Sequence, residues 1–419
     1  MKYLIALAII VALPFANASI EKPRWSIGDY WIYAGNLKLS TSTGMENMSM
    51  SIDGNFLINM KIRIKDTTTI DIKGEKIACY VAEMNSSVEG TSKIEMKIPL
   101  IEEDKIYTIY VNADIETDAS GEVYMGIKNL SIIKNDLKTN TQVRLDIEAP
   151  NVPDYILNML QLSNKEMTLS NETLADYSPP LNFLDFPIER NEKWYVNSMV
   201  NYTIDNKYSG SQPVNFSFYC ENLGDDYATI VSDYIPFLGE ITVNIFGMNV
   251  PLLYLENTTF RWSNKTGMIE YVFNAQTHHD IMYDLTQSLD LQLIDYKYTP
   301  HSNKLPTVDI SFTPLNPHSG TNVQFNAIAN DEDGYIIVYE WDFGDGKKSY
   351  EQNPSHMYTK AGEYKVTLVV IDNYGEEARA TKTIVIESGG GGGTPGFEFI
   401  VGVAALLIIF LRRNLGSFK

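Results

Sequence analysis

Apolar and polar residues alternate with a period of two over long stretches of this chain. Phe56, Ile58, Met60, Ile62 and Ile64 are interleaved with Asn59, Lys61, Arg63 and Lys65. Ile94, Met96 and Ile98 alternate with Lys93, Glu95 and Lys97, and Val123, Met125 and Ile127 continue the pattern. A period of two gives each strand one apolar and one wetted face, which predicts a half-buried antiparallel sheet of long strands. Between Ile72 and Ile77 the run Lys73-Gly74-Glu75-Lys76 predicts a hairpin turn. Two stretches have helical spacing instead: Tyr155, Ile156, Met159 and Leu160 after Pro153, and Ile281, Met282, Leu285 and Leu289.

The expected organisation of the first 301 residues follows from this. The aromatic opening at Trp25-Ser26-Ile27-Gly28-Asp29-Tyr30-Trp31 is echoed by Glu192-Lys193-Trp194-Tyr195, after a proline-rich connector from Ser178 to Pro187. Two diverged β-rich halves are expected, 19–180 and 181–301, each with one cysteine. A curved sheet covered by one or two helices has the shape to enclose an apolar cavity, and whether this one does is left open by the sequence. The methionines at 45, 48, 50, 60, 84, 96 and 125 suit such a pocket, but methionine on a strand face is more often ordinary core.

From Leu305 to Glu387 the strands shorten and turn residues punctuate them. Val308-Ile310-Phe312, Val323-Phe325-Ala327, Ile336 to Trp341, Tyr364 to Ile371 and Ala380 to Ile386 read as strands of a β-sandwich. Within them lie Tyr339-Glu340-Trp341-Asp342-Phe343-Gly344-Asp345-Gly346, Pro354-Ser355-His356-Met357-Tyr358 and Ala361-Gly362-Glu363-Tyr364. This segment, 305–387, resembles a PKD domain, an immunoglobulin-like sandwich that serves extracellular proteins as a spacer or binding module. The resemblance implies that Trp341 packs between the sheets with Phe343 and Tyr364 beside it. Some PKD domains bind calcium, and Asp331, Asp333, Asp342, Asp345 and Asp372 supply the hard oxygen ligands that ion takes. Turn-stabilising carboxylates are the alternative account of the same residues. The fold class expected for the whole chain is mainly β: antiparallel sheet with a few helices, then an immunoglobulin-like sandwich.

The two ends carry targeting features. Lys2, an apolar run from Tyr3 to Ala16, and Ala16-Asn17-Ala18 form a signal peptide over 1–18. At the other end a glycine-rich linker, 388–395, leads to Pro395-Gly396-Phe397, an apolar run to Leu411 and Arg412-Arg413. Spanning a hydrocarbon core takes roughly 20 apolar residues, so the segment at 396–413 is short for a permanent span. Its order of parts closely resembles the PGF-CTERM sorting signal of archaeal surface proteins. In that family an archaeosortase removes the helix and a prenyl-type lipid takes its place, and an ordinary single-span helix predicts the same location.

Composition narrows the partners. A formal net charge of -20 argues against nucleic acid and anionic membrane surfaces. Sequons stand at Asn47, Asn85, Asn129, Asn171, Asn201, Asn215, Asn257 and Asn264, and none lies beyond residue 300, which implies a glycan-shielded region above a bare module. Cys79 and Cys220 are the two cysteines of an exported chain. A disulfide between them would close a loop of about 140 residues worth roughly 4 to 5 kcal/mol at most, and two buried thiols are the alternative.

Catalytic constellations are sparse. His278-His279-Asp280 has no third ligand at diagnostic spacing, and no nucleophile elbow, His-Glu-x-x-His pair or phosphate loop occurs. The expectation is a non-enzymatic extracellular protein held at the membrane, without a cofactor unless calcium, with extracellular protein or glycan partners and a structural, adhesive or ligand-display role. A membrane-tethered carrier of a lipid or other hydrophobe is the rival reading, and a surface hydrolase built on two distant carboxylates is the third.

Overall fold

The structure, a computed structural model, describes residues 22–388 apart from 46–47, 101–104, 151, 160–162, 183–190, 225, 234–239, 246–247, 255 and 280–282. The signal peptide, Asn47, and the tail with Pro395, Gly396 and Phe397 therefore lie outside the described residues. Contacts divide the chain into two units that meet in sequence at Lys304 and Leu305.

The N-terminal unit is a closed barrel of twelve antiparallel strands. In chain order its strands are β1 (Tyr30–Met45), β2 (Met48–Ile72), β3 (Glu75–Leu100), β4 (Lys105–Gly126), β5 (Ile132–Glu148), β6 (Lys165–Leu181), β7 (Lys193–Ile204), β8 (Tyr208–Leu223) and β9 (Tyr227–Ser232). After an excursion carrying β10 (Glu240–Ile245) and β11 (Met248–Tyr254) come β12 (Thr259–Ser263), β13 (Met268–His279) and β14 (Tyr283–Lys297). The ring runs β1-β14-β13-β12-β9-β8-β7-β6-β5-β4-β3-β2 and closes on β1. Closure is made by the pairing of β1 with β14 from Tyr30↔Lys297 to Thr43↔Tyr283.

An open sheet with helical cover, the expectation above, is corrected by this closure. The two expected halves belong to one ring, because β6 pairs with β7 from Thr173↔Ile204 to Ser178↔Met199. The helical reading is also corrected at Leu285 and Leu289, while Ile281 and Met282 lie outside the described residues. Leu285 and Leu289 lie on one face of β14, where Gln287 and Leu291 are buried between and beyond them. A spacing of four satisfies both a helix turn and two periods of a strand, so those two leucines could not decide between them. The helix expected after Pro153 does form, as α1 (Asp154–Met159), and its Ile156 packs with Tyr107, Ile109 and Val111.

The alternating pattern sets the inside of the barrel. Ile58, Met60, Ile62 and Ile64 point inward and are at most 4% exposed. At one end the filling is aromatic: Trp25, Trp31, Tyr33, Tyr80 and Trp262 are all at most 1% exposed. Their polar atoms are not wasted. Trp25 Nε1 donates to Gly267 O at 3.0 Å, Trp31 Nε1 to Thr266 O at 2.6 Å and the Tyr33 hydroxyl to Ile269 O at 2.9 Å. These bonds tie the start of the chain to the β12–β13 turn from the inside. At the other end, the mouth, Met50 and Ile52 are buried under the half-buried Leu39, Ile94, Met96 and Tyr283, and Ile94 and Met96 also pack against the cluster around Ile156.

Strands of up to 26 residues must coil sharply to close a ring. Gly90 and Gly121 mark the bends: a Cβ at either would collide with the carbonyl oxygen of Asn55 or Asp136 on the neighbouring strand. The β2–β3 turn is the expected one, with Lys73 at φ 54° and Gly74 at φ 90°, as a two-residue hairpin of primed type requires.

The C-terminal unit is a two-sheet sandwich. One sheet orders β15 (Thr307–Thr313), β16 (Asn322–Asn330) and β19 (Ser355–Met357). The other orders β18 (Lys348–Ser349), β17 (Ile336–Asp342), β20 (Gly362–Asp372) and β21 (Glu377–Ile386). Trp341 is fully buried between them, with its Nε1 donating to Glu351 O at 3.0 Å. Phe343 stacks on it and Tyr358 donates its hydroxyl to Phe343 O at 3.0 Å. Tyr364 sits half-buried at the edge of this cluster.

Trp341→Ala removes the largest side chain of the sandwich core, at a cost of roughly 3 to 5 kcal/mol. In a unit of this size each kcal/mol moves the melting temperature by about 4 to 8 °C. Calorimetry of the full chain is therefore expected to lose the sandwich transition or to shift it down by well over 10 °C, whereas a shift of only a few degrees contradicts this packing.

Candidate functional site

The barrel closes without the residues between Asp233 and Thr258. β9 and β12 pair directly, from Tyr227↔Ser263 to Val231↔Thr259, so the chain leaves the ring and returns to it at neighbouring positions. Within the excursion β10 and β11 pair with each other, Ile245↔Met248 through Glu240↔Tyr254, and form a sheet of their own with no ladder to the ring. β11 runs close to β1 and β14.

Both limbs of the excursion are pinned. On the way out, the Asp233 carboxylate accepts from Ser217 Oγ at 2.6 Å and pairs with Lys193. These two donors hold its carboxyl below the usual range. On the return, Asn274 and Gln276 both donate to the backbone oxygen of Glu256, Asn274 Nδ2 at 2.7 Å. Asn274 Nδ2 also reaches Thr258 Oγ1 at 3.1 Å, and Gln287 Nε2 donates to Asn274 Oδ1 at 2.8 Å. Thr258 and Ser232 exchange further bonds, and Ser232, Thr258, Asn274 and Gln287 are all at most 2% exposed.

The inner address of this clamp follows from register. Asn274 shares its face of β13 with the buried Val272 and stands opposite Leu289, which is 1% exposed. The excursion therefore returns along the inner side of the wall. Amides and hydroxyls make the clamp, with no titratable side chain in it, so its geometry is independent of pH near neutrality. Leaving one of these buried amides unpaired costs about 1 to 3 kcal/mol, which is enough to fix the path of the limb. Sequence reading missed it, although Gln287 in the run Leu285, Leu289, Leu291 is a visible break in an apolar inner face.

The outer wall has the opposite character. Asn59, Lys61, Arg63 and Lys65 on β2, and Asp114, Glu116 and Asp118 on β4, are exposed along its length. A barrel embedded in lipid needs an apolar outer band about 25 Å tall. The charged faces of β2 and β4 interrupt any such band on that side of the ring. Of the sequons, Asn85, Asn129, Asn201, Asn215 and Asn257 are exposed and Asn171 and Asn264 half-buried, the latter accepting from Trp262 Nε1 at 3.2 Å.

The remaining candidate residues are dispersed. Asp331 lies beside Asp372 and Asp333 at one end of β17, where partial burial and then the charge of Asp372 push its carboxyl up. Asp342 and Asp345 lie at the other end, some 20 Å away at the usual rise per residue. There Asp342 Oδ1 accepts from the Gly344 amide at 2.9 Å, and Asp345 Oδ1 from the Lys347 amide at 3.1 Å. Asp345 Oδ2 is also 2.9 Å from Nε2 of His356. The five carboxylates thus do not converge on one calcium ion, and among the described residues no three His, Cys, Asp or Glu side chains are gathered to hold a metal. His278 stacks on Tyr283, and His279 pairs with Asp284 at 2.7 Å in the open.

The expected disulfide is corrected as well. Cys79 and Cys220 are both buried thiols and are not bonded to each other. Cys79 lies on the face of β3 opposite Tyr80, whereas Cys220 pairs with the buried Ile230, and β3 and β8 stand five strands apart round the ring. That separation is beyond the roughly 7 Å that a disulfide spans. Cys79 Sγ donates to Thr68 O at 3.4 Å, and burial pushes its pKa up to about 12.

Comparison with known proteins bears on the sandwich. Residues 303–387 match the PKD domain family model, and this segment is a PKD domain. The chain is 44% identical over 88 residues to Collagenase ColQ1 of Bacillus cereus, covering 21% of this chain and 9% of that protein. It is 42% identical over 69 residues to the pre-pro-metalloprotease PrtV of Vibrio cholerae, covering 16% of this chain and 8% of that one. The solved PKD1 domain of Vibrio anguillarum Epp is 35% identical and aligns over 21% of this chain and all of its own, with a TM-score of 0.20. The chain thus spans under a tenth of the length of these two curated relatives.

Both thiols are expected to resist alkylation in the native protein and to react fully once it is unfolded without reductant. Peptide mapping that finds a Cys79-Cys220 cross-link, or rapid native labelling of Cys79, contradicts the buried-thiol assignment.

Proposed function

We propose that this chain is an extracellular, surface-anchored and glycosylated protein without enzymatic activity, in which the PKD domain is the spacer and interaction module and the barrel is the displayed body. The observation that carries this reading is a closed barrel, with charged outer faces on β2 and β4, in one chain with a PKD domain, a module that the chain has in common with a bacterial collagenase and a metalloprotease. The matched segment is under a tenth of each relative, and the relatives' activities are not transferred. Sequons on the outer wall support glycan display, since Asn85, Asn201 and Asn215 leave the strands on the wetted side. The expected leader over 1–18 and the tail at Pro395, Gly396 and Phe397 support export and processing by an archaeosortase-type enzyme. Its role is structural, adhesive or ligand display, toward extracellular proteins or glycans and not nucleic acid.

A second reading, a tethered carrier of a hydrophobic ligand, is favoured by one observation, the return of the chain at Glu256 to Thr258 along the inner face of β13 near the barrel mouth. Protease shaving of intact cells, followed by mass spectrometry, tests the first reading. Barrel peptides bearing glycan at Asn85, Asn201 or Asn215 and a mature C-terminus lacking Phe399 to Leu411 are expected. Barrel peptides recovered only after lysis, unmodified and with Lys419 in place, overturn it.

A further inference from the structure

Ring closure removes a strand's edge only along the length at which both neighbours run beside it. β6 is taller than its neighbour β7. Its ladder with β5 runs from Lys165↔Leu145 to Leu181↔Ile132, whereas β7 accompanies it only from Thr173↔Ile204 to Ser178↔Met199. The β7–β8 turn occupies the next position: Asp205 N donates to Glu172 O and Glu172 N to Asp205 Oδ1, both at 2.8 Å. From Lys165 to Asn171, no strand or helix among the described residues runs along the far side of β6. Proline and bulges, which blunt such edges, do not occur between those two residues, and the two charges, Lys165 and Glu166, stand at one end.

Side-chain bonds show which backbone groups point to the open side. In an antiparallel sheet successive residues turn their N–H and C=O to opposite neighbours, and the pairs that exchange no backbone bonds hold their side chains closest. The hydroxyls of Thr117 and Thr141 are 3.0 Å apart across β4 and β5, and Ser170 Oγ donates to Asn140 Oδ1 at 2.8 Å across β5 and β6. Thr141 therefore turns its backbone groups to Leu169, and Ser170 turns its own away from β5. Glu172, two residues on, agrees, since both its groups meet Asp205. By the same alternation Glu166, Thr168 and Ser170 present three N–H and three C=O groups to the open side. The Asn171 amide donates to one of them, Ser170 O, at 3.1 Å, and a carbonyl oxygen has a second lone pair.

We infer that this edge pairs with the same edge of a second copy of the chain, antiparallel and about a two-fold axis at Thr168. The open groups choose the register, because residues that turn their backbone outward must meet one another. Glu166, Thr168 and Ser170 are symmetric about Thr168, so Thr168 meets Thr168 of the second copy and Glu166 meets its Ser170, with six backbone bonds between the copies. The same register opposes Met167, which is half-buried, to Leu169 of the second copy, which is 43% exposed, and does so twice. Apolar side chains opposed in this way cover one another. No like charges are opposed: Glu166, already 3.8 Å from Arg144, meets a serine, and Lys165 meets Asn171. An edge that matches itself in bonding, apolar contact and charge fits an isologous dimer. The contact is one strand edge, so the dimer is weak and reversible. Each copy carries a formal net charge of -20, so salt, which screens their repulsion, strengthens the pairing. The inference does not rest on where the chain resides.

Sedimentation velocity over a concentration series tests it, on the purified full chain made without glycans and on the variants Thr168→Pro, Thr168→Cys and Ser170→Cys. The full chain is expected to show a reversible monomer–dimer equilibrium that raised salt strengthens. Proline at 168 removes an N–H that faces away from β5, so it spares the ladder within the barrel and deletes two of the bonds between copies. The dimer Kd is expected to rise about 10- to 100-fold with the thermal transition of the barrel retained. Mild oxidation of Thr168→Cys is expected to give a dimer cross-linked at 168, and Ser170→Cys, whose counterpart is Glu166, to give far less. A full chain that stays monomeric at every concentration overturns the inference, and so does a dimer that Thr168→Pro leaves unchanged in a folded protein. Should the proline variant not fold, the cross-linking decides: a link at 168 far above that at 170 supports the inference, and equal links at both, or none at 168, overturn it.

Discussion

Everything in the barrel depends on the pairing of its first and last strands. β1 meets β14 across fourteen residue pairs, with a single bulge between Ile32 and Tyr33, and this seam removes the two edges that a twelve-stranded sheet would otherwise expose. An unclosed sheet of such long strands would present a row of unpaired amides along β1, a template for association with other chains. Closure also creates an inside, and the period-two pattern then has a fixed meaning: apolar side chains go in and charged ones go out.

The two ends of that inside have different consequences. Where Trp25, Trp31 and Tyr33 donate to backbone carbonyls of the β12–β13 turn, the interior is a core in the ordinary sense, dense and hydrogen-bonded. At the mouth the ring is finished by long strands on the β1–β6 side and by shorter ones at β9 and β12. The chain leaves and re-enters the ring between β9 and β12 at this end. Buried amides at Asn274 and Gln287 make sense only as the anchor of that segment, because an inner strand face packed against side chains alone would be better served by leucine.

Local structure was legible in the sequence, and closure was not. The faces of β2, β3 and β4, the Lys73-Gly74 turn, the helix after Pro153 and the burial of Trp341 all follow from spacings within a few residues. The seam joins residues some 250 positions apart, and no local period records which strand another will meet. The disulfide expectation failed for a related reason. Two cysteines in an exported chain invite pairing, but whether they share a face and a neighbourhood is decided by register and ring order. The paired aromatic openings at Trp25 and Trp194 misled in the same way: they mark two strand starts within one barrel. The buried amide clamp left a trace in the sequence, a glutamine among leucines, whose meaning required knowing which face was inner.

The central claim is the seam itself, and it has a direct chemical test. Asn36 and Asp290 face each other across β1 and β14 on the outer side. In the double variant Asn36→Cys, Asp290→Cys, mild oxidation should produce an intramolecular disulfide in high yield, read as one cross-linked peptide by mass spectrometry. Pairing Asn36→Cys instead with Ser217→Cys, on a strand four places further round the ring from β14, should give none. Failure of the first pair to cross-link in a folded protein would mean that β1 and β14 do not meet and that the sheet is open.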